Sequence, residues 1–528
     1  MMDTLKLRQK LLDLAIRGKL VPQDPNDEPA SVLLERIHAE KVAMVERGEL
    51  KPRDIKGDTV IFIGSDGLPY EKGRGESSTS VPIERALLNL PSGWSWARLR
   101  TIASVEAGKT PSKDAFVDDG IPYFKMYNLR NQRIDFDFQP QYIKPEVHFG
   151  QLAKSRIRPG DLIMNIVGPP LGKLAIAPET FPEANTNQAA VVIRSYAGLV
   201  PIIWLFYYLS EMSEIDSVST RGSAGQVNIS VNQSRDMIIP IPPLAEQRRI
   251  VEALDKYLAL VDEIEQAQAD LDALFAQLKS KVLDLAIRGE LTAQDPDDEP
   301  ASVLLERIHA EKVAMVKRGE LKPKDIKGDT VIFTGSDGLR YEKPANGSCE
   351  ARCIEDEIPF AIPNTWAWAR LGSVSNYGSA SSVSVEDISD DGWILDLEDI
   401  EKDTGRVLQK IKKSERPSSS VKRPFWRGQL LYSKLRPYLN KVLIADEDGY
   451  CTSEILPIEL YGSIDPKYVR RFLMSDHFLA YADICVYGCK MPRLGTGDGQ
   501  RALIPIPPLA EQSRITRLEE SLIDILTN

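Results

Sequence analysis

The sequence predicts two copies of a mixed α/β (α+β) domain, separated by long helices that form an antiparallel coiled coil in a pseudo-two-fold molecule. Three observations predict this fold class: a long internal repeat, a sustained heptad in the middle of the chain, and one strand–turn–strand pattern in each half. The length of 528 residues agrees with it, because such a chain exceeds a single core and predicts roughly two to four domains.

The internal repeat covers the helical parts of the chain and their junctions. Residues 11–72 match 282–343 at an offset of 271, with 53 of 62 positions identical. The phrase PIPPLAEQ occurs at 240–247 and again at 505–512, an offset of 265. By these offsets the two termini together make almost a second copy of the central segment. This near-closure predicts that the terminal helices pack side by side, with the logic of a symmetric dimer.

The repeat divides the chain into constant and variable segments. Each variable segment opens on a tryptophan-containing phrase, PSGWSWARL or PNTWAWARL. The predicted domains are an N-terminal helical region and linker (1–90), a first variable domain (91–243), a central helical region and linker (244–362) whose long helix covers 244–288, a second variable domain (363–508) and a C-terminal helix (509–528).

The central helix is predicted from its heptad. Apolar residues recur at alternating steps of three and four, which indicates a coiled-coil seam. A heptad buried inside a globular bundle is the alternative, and the near-closure of the repeat favours the coiled coil. Residues 250–275 contain seven acids and one base, so this helix is expected to meet solvent or protein and not DNA. The predicted seam includes Leu254, Tyr257, Val261, Ile264, Leu271, Phe275 and Leu278.

The variable domains share a pattern but differ at its turns. Residues 160–177 align without gaps with 428–445, and both read as strand–turn–strand. The turn is Asn-Ile-Val-Gly in the first copy and Ser-Lys-Leu-Arg in the second. A constant scaffold with variable polar turns is typical of a protein that reads different DNA sequences, since side chains of these types contact base edges and phosphates. Ordinary solvated loops are the alternative for any single residue.

Composition places the acidity outside the variable domains. The net charge of −11 argues against nucleic acid when taken alone, but the first variable block (98–235) has 15 basic and 13 acidic residues and the second (370–501) has 19 of each. The five cysteines indicate reduced thiols and a cytoplasmic protein. No segment resembles a signal peptide, and the longest apolar stretch is too short for a membrane helix, so no membrane partner is expected.

Catalytic motifs are not found in the sequence. There is no Walker A loop and no Gly-rich turn for a nucleotide or S-adenosylmethionine, and the four histidines do not form a catalytic pattern. Two C-x3-C pairs, Cys349/Cys353 and Cys485/Cys489, are considered as a zinc site and not favoured, because zinc knuckles use C-x2-C spacing. The chain is therefore expected to be non-catalytic and to hold neither metal nor cofactor.

The ordered motifs resemble a known family. They are PIPPLAEQ followed by a helix, RGKLVPQDPNDEPASVLLERI, GWSWARL, TNQAAVVI and LLYSKLRPYLNKVLIA. Over nearly the whole chain this set resembles the DNA-specificity (S) subunit of type I restriction–modification enzymes. The resemblance implies two target-recognition domains that each read half of a split sequence in double-stranded DNA. It also implies helices that dock two methyltransferase subunits, with two translocase–nuclease (restriction) subunits joining for cleavage.

The same resemblance assigns all catalysis to the partners, which would carry S-adenosylmethionine, ATP and magnesium. Half-sites read from one face of B-DNA lie about 34 Å apart, and a helix of roughly 50–55 Å is long enough to space two readers at that distance. The recognition portion of a fused restriction–methylation enzyme and a protein scaffold that does not read DNA are the alternatives.

Candidate DNA-binding residues are taken from the tips of both variable domains. Lys173 and Lys441 occupy matching positions and are predicted to contact phosphates, whereas Arg436 and Arg493 lack counterparts and are predicted to read bases. The candidates are Lys109, Thr110, Asn165, Lys173, Asn187, Gln188, Gln226 and Asn228 in the first domain, and Lys434, Arg436, Lys441, Thr452, Lys490 and Arg493 in the second.

Overall fold

A computed structural model divides the chain into two compact units, residues 1–269 and 270–528. The structure describes residues 2–75, 78–84, 87–168, 170–211, 213–216, 228–347, 349–379, 381–416, 420–488 and 490–527. Each unit combines helices with several small sheets, and a 45-residue helix, Leu244–Arg288, begins in the first unit and ends in the second. The predicted mixed α/β fold class, with two sheet-rich domains and a long helix, is confirmed.

Along the chain, the strands of the first unit follow its first three helices and precede the long helix. Its helices are Thr4–Ile16, Ala30–Glu46, Pro52–Lys56, Leu99–Ile102, Pro145–Phe149, Ile202–Ser210, Ser213–Asp216 and Val231–Arg235. In sheet order, its strands are Thr59–Ile63, Pro69–Gly73 and Ser80–Pro82; Asn185–Thr186, Ile121–Phe124, Tyr142–Ile143 and Phe116–Val117; Leu174–Ile176, Leu162–Asn165, Ala190–Ser195 and Ala103–Ala107; Ile238–Ile241 with Ser95–Arg98; and Leu129–Arg130 with Arg133–Ile134.

The second unit repeats this plan with its own elements. Its helices after the long one are Ala301–Arg318, Pro323–Ile326, Leu371–Val374, Pro466–Met474, Asp476–Cys485, Thr496–Arg501 and Leu509–Thr527. Its strands are Thr330–Thr334, Arg340–Pro344 and Arg352–Cys353; Ala367–Arg370 with Leu503–Ile506; Ile411–Lys412, Trp393–Leu395, Gly449–Thr452 and Lys422–Phe425; Val442–Ile444, Leu430–Ser433 and Ile455–Ile458; and Val486–Tyr487 with Arg493–Leu494.

The N-terminal helix packs antiparallel on the long helix within the first unit. Met2 lies beside Gln268, and Arg8 pairs with Glu265 at 3.0 Å. Further along the N-terminal helix, Leu11 belongs to the same core as Leu254. The residue numbers rise along one helix as they fall along the other, which is the antiparallel arrangement that the near-closure of the repeat predicts. Hydrogen bonds from Arg8 lower the pKa of the Glu265 carboxyl, so the acidic helix supplies the partners for this contact.

Only part of the predicted seam is covered by protein. Leu254 and Val261 are buried, and Ile264 and Phe275 are half-buried. Tyr257 in the first unit is 41% exposed, and Leu271 and Leu278 in the second are 48% and 44% exposed. The described helices of their own units leave these three residues exposed, and their place in a coiled-coil seam stays a prediction.

One large core lies under the central sheet of each unit. In the first unit it joins the strand Leu162–Asn165 to Trp204 and to Ile250 of the long helix. In the second it joins Leu430–Ser433 to Tyr468 and Ile515. Among the residues that the structure describes, no helix is both long and apolar enough to cross a membrane.

Candidate nucleic-acid interface

The repeated phrase PIPPLAEQ joins the base of each variable domain to a helix. In the first unit it supplies the last two residues of the strand Ile238–Ile241, which pairs with Ser95–Arg98, and then the first turn of the long helix. The indole of Trp94 donates to Glu246 Oε2 at 2.9 Å, and Gln247 Nε2 donates to the Pro242 carbonyl at 2.8 Å. The phrase therefore ties the tryptophan motif that opens the variable domain to the helix that follows it.

The second unit repeats the bond between the indole and the carboxylate with its own residues. The indole of Trp366 donates to Glu511 Oε2 at 2.8 Å, and Gln294 Nε2 donates to Glu511 Oε1 at 2.6 Å. Burial raises the pKa of the Glu511 carboxyl, as it raises that of Glu246, and the hydrogen bonds from the donors partly offset this. Two matched anchors therefore hold two different variable domains.

Each variable domain ends in a tip built on the strand that precedes the divergent turn. In the first unit this strand is Leu162–Asn165, and Ile166 follows it. The Ile166 amide donates to the Ala189 carbonyl at 2.8 Å, and its carbonyl accepts from Ile229 N at 2.9 Å. Val167 then forms an isolated bridge with Asn228. These bonds bring the turn, the start of the neighbouring strand and residue 228 together.

The second tip repeats this backbone with other side chains. Lys434 follows the strand Leu430–Ser433, and its amide donates to the Glu454 carbonyl at 3.0 Å. Its own carbonyl accepts from Leu494 N at 3.0 Å, and Leu435 forms the isolated bridge with Arg493. Matching backbone bonds therefore place Lys434 where the first tip has Ile166, Glu454 where it has Ala189, and Arg493 where it has Asn228.

Asn165 is not placed to read DNA. Its side chain is fully buried, and Nδ2 donates to the carbonyls of Val167 at 3.3 Å and Pro170 at 3.0 Å. Its Oδ1 accepts from Lys173 N at 2.5 Å. Ser433 braces the second turn at the matching position, with Oγ donating to the Leu435 carbonyl at 3.0 Å. The prediction for Asn165 is corrected, because these bonds use its amide to hold the turn.

Four of the other candidates of the first domain, Lys109, Thr110, Asn187 and Gln188, lie in two segments that hydrogen-bond to each other. Lys109 is exposed, and Thr110 donates to the exposed Gln188. Asn187 Oδ1 accepts from Ala189 N at 3.2 Å, so that side chain shapes the strand start. Lys173 and Asn228 are half-buried, and Gln226 lies outside the described residues.

The second tip gathers cations around one carboxylate. Arg493 Nε lies 3.2 and 3.1 Å from the two oxygens of Glu454, and Lys434 Nζ lies 4.0 Å from Oε2. The Arg493 pKa is raised by this hydrogen bond. Burial lowers the pKa of Lys434, and the charges of Arg423 and Arg493 lower it further against the opposing effect of Glu454. Arg493 and Lys434 therefore share one acidic neighbour, and the charge of Arg423 acts on Lys434.

Arg436 occupies a strained position in this tip. Its φ of 51° lies in the left-handed region, where the first tip has Gly168 at 86°. Its amide donates to the Pro492 carbonyl at 2.8 Å, and its buried Nε has no hydrogen-bond partner among the described residues. Non-glycine residues held in this region are concentrated at functional sites.

Three candidates of the second domain are placed differently. Lys441 is half-buried and donates from Nζ to the Leu397 carbonyl at 2.6 Å, and its phosphate contact stays a prediction. Thr452 ends the strand Gly449–Thr452 and is half-buried. Lys490 is exposed, in the segment between Tyr487 and Arg493.

Sequence reasoning missed two residues of this tip, Arg423 and Glu454. Arg423 lies on the strand Lys422–Phe425, and its Nε and Nη1 are buried without a hydrogen-bond partner among the described residues. The residues around Arg423 in the sequence do not indicate that it lies near the tip. Glu454 directly follows the candidate Thr452 and a serine, so its closeness to the tip could have been inferred, although its contact with Arg493 could not.

The comparisons with known proteins agree with this arrangement. Residues 91–271 match the family model for the type I restriction modification DNA specificity domain. The type I restriction enzyme EcoEI specificity subunit of Escherichia coli is 28% identical over 545 residues, which cover 91% of this chain and 80% of that subunit. The chain is therefore similar to type I DNA-specificity subunits over most of its length. The EcoAI specificity subunit of the same species is 29% identical over 420 residues, covering 70% of this chain and 62% of its relative.

A solved structure supports the fold of this chain. It comes from work on complex assembly and conformational transition of the type I R-M system, and it is 18% identical with a TM-score of 0.50. The similarity covers 84% of this chain and 93% of that one. Among the described residues, no group of three or more histidine, cysteine, aspartate or glutamate side chains could hold a metal ion. Cys349 and Cys353 are exposed, Cys485 is half-buried, and Cys489 lies outside the described residues.

Proposed function

We propose that this chain is the DNA-reading subunit of a type I restriction–modification complex and that each unit reads one half of a bipartite target. The observation that carries the proposal is the pair of tips. Their backbones make matching hydrogen bonds, whereas Ile166, Gly168, Ala189 and Asn228 are replaced by Lys434, Arg436, Glu454 and Arg493. A fixed frame with exchangeable polar side chains suits two readers of different sequences.

The helices are the proposed docking surface for two methyltransferase subunits. In the first unit Tyr257 and Leu260 are 41% and 45% exposed on an acidic helix, and in the second Leu271 and Leu274 are 48% and 60% exposed. Exposed apolar side chains among like charges fit a protein partner better than DNA. The partners would supply S-adenosylmethionine-dependent methylation, and two restriction subunits would supply ATP- and magnesium-dependent cleavage, in the cytoplasm. A protein scaffold that does not bind DNA would not need different polar side chains at its two tips.

The test is a map of methylated adenines from cells that express this chain with its methyltransferase partner. We expect a split motif with a fixed gap. Giving the second tip the residues of the first (Lys434→Ile, Arg436→Gly, Glu454→Ala, Arg493→Asn) should change the second half-site and leave the first unchanged.

Arg318→Ala is the matched control, because this arginine pairs with Glu320 on the surface of the second unit, at the end of the helix Ala301–Arg318. It should leave the motif unchanged. A complex that stays intact by size-exclusion chromatography but methylates no defined motif would instead favour the scaffold. A change in both half-sites would refute independent reading.

A further inference from the structure

The second tip contains an arginine whose guanidinium is held in place by a carboxylate. Arg493 donates from Nε to both oxygens of Glu454, and its Nη1 donates to the Met491 carbonyl at 3.2 Å. Within the described residues, Nη2 makes no hydrogen bond to protein. The Arg493 side chain is 32% exposed and that of Glu454 is 23% exposed. One end of the guanidinium is therefore fixed, and the other is free to meet a ligand.

The surroundings favour an electron-rich ligand. Burial lowers the pKa of Lys434, and Arg423 lies close enough for its charge to lower that pKa further. The unsatisfied nitrogens of Arg423 and Arg436 add donors without partners. A buried donor without a partner is costly, so a ligand that supplies acceptors is stabilised here.

We propose that Arg493, positioned by Glu454, reads a guanine in the second half-site. This inference rests on the proposed function. Arginine matches guanine O6 and N7 with two donors, and a guanidinium that is already oriented loses less freedom when it binds. Glu454 is a positioning residue in this arrangement, since it acts through Arg493.

Glu454 also explains why a base edge is preferred to a phosphate at this position. A phosphate bound to Arg493 would lie near the Glu454 carboxylate and experience repulsion between like charges. Guanine O6 and N7 are neutral acceptors and carry no such penalty. In the first tip, Asn228 stands where Arg493 stands and Ala189 stands where Glu454 stands, so the carboxylate is present only in the tip that has the arginine.

The experiment uses the complete complex of this chain with its methyltransferase partner and measures methylation at every single-base variant of the target. Arg493→Ala should reduce discrimination at one guanine of the second half-site by roughly 5- to 150-fold. Glu454→Gln should reduce discrimination at that same position by a smaller factor. The double variant should lose no more than Arg493→Ala alone, because both residues act on one base.

Lys490→Ala is the matched control from the same segment. Because this lysine is exposed, its substitution should weaken binding equally at all DNA sequences. The substitution should also reduce the salt dependence of binding. If Glu454→Gln increased methylation by the same factor at every single-base variant of the target, Glu454 would only repel DNA, and the inference would fail. It would fail equally if Arg493→Ala acted on a base other than guanine.

The outcomes separate this inference from the function on which it rests. If the unsubstituted complex gives no split motif, the proposed function itself is wrong. If it gives a split motif whose second half has no guanine that depends on Arg493, only the guanine assignment is overturned. Thermal unfolding and co-purification with the methyltransferase confirm that each variant is folded and assembled.

Discussion

The anchors of the two units, the Trp94–Glu246 and Trp366–Glu511 bonds, have kept the same residue types, whereas the tips of the two units carry different residues. The indole–carboxylate bond is 2.9 Å between Trp94 and Glu246 and 2.8 Å between Trp366 and Glu511. The tips keep a common backbone, yet none of the four tip positions compared above carries the same residue in both units. The scaffold has kept its side chains along with its geometry, whereas the tips have kept the geometry alone.

This difference separates residues that hold the fold from residues that select a ligand. Buried side chains of the anchors satisfy one another, so a change in one leaves another unpaired. The side chains that differ between the tips project from a backbone whose hydrogen bonds are the same in both units. We therefore expect variants in the scaffold to lower stability and variants in the tips to alter recognition.

The largest stability effect is expected at a buried ion pair that both units contain. Lys312 Nζ donates to Asp329 Oδ1 at 2.6 Å, and both side chains are buried. Burial raises the pKa of Asp329 in spite of this partner. Lys312→Met leaves a buried carboxylate without its cation and should lower the free energy of unfolding by about 3–5 kcal/mol. Denaturant unfolding measures the lost stability, and hydrogen exchange should show that the loss is confined to the second unit.

The first unit supplies the control for this change. Lys41 pairs with Asp58 there, and Lys41→Met should open the first unit and leave the second protected. Replacing both members of one pair with apolar residues should recover most of the lost stability, because no uncompensated charge remains. A double variant as unstable as the single one would show that the pair is not the cause.

The sequence was sufficient to predict the scaffold and insufficient to predict the tips. The heptad and the repeat depend on local periodicity, and they predicted the helix that the structure gives as Leu244–Arg288. Asn165 was misassigned because polar residues beside a turn have the same appearance in the sequence whether they brace it or project from it. Glu454 and Arg423 were missed because their contacts cross between strands that are distant in sequence.

A smaller loss of stability is expected from a substitution in the anchor of the second unit. Glu511→Ala removes the acceptor of Trp366 and Gln294, and unpaired buried donors should cost roughly 1–3 kcal/mol. Burial raises the Glu511 pKa above its ordinary value of 4.5, so its stabilising contribution is complete below pH 4.5 and falls as pH rises through the raised pKa. The variant should therefore lose more stability relative to the parent protein in acid than at neutral pH.

Calorimetry or denaturant unfolding at two pH values measures this difference, and Glu246→Ala is the counterpart in the first unit. A loss that grows toward neutral pH would contradict the direction of the pKa shift. A loss confined to methylation, with unchanged stability, would place the glutamate outside the scaffold.

The smallest stability effect is expected in the second tip, where the loss of recognition should be clear. Arg436→Gly places glycine at a φ of 51°, where an L side chain costs roughly 1–2 kcal/mol and where the first tip has Gly168. Glycine keeps the amide bond to the Pro492 carbonyl, and its greater freedom in the unfolded chain offsets part of the relief. The melting temperature should stay within a few degrees of the parent value, while discrimination at the second half-site falls. A variant that unfolds early but still reads both half-sites would instead show that Arg436 supports the turn, and the contrast between a conserved frame and exchangeable side chains would fail at that residue.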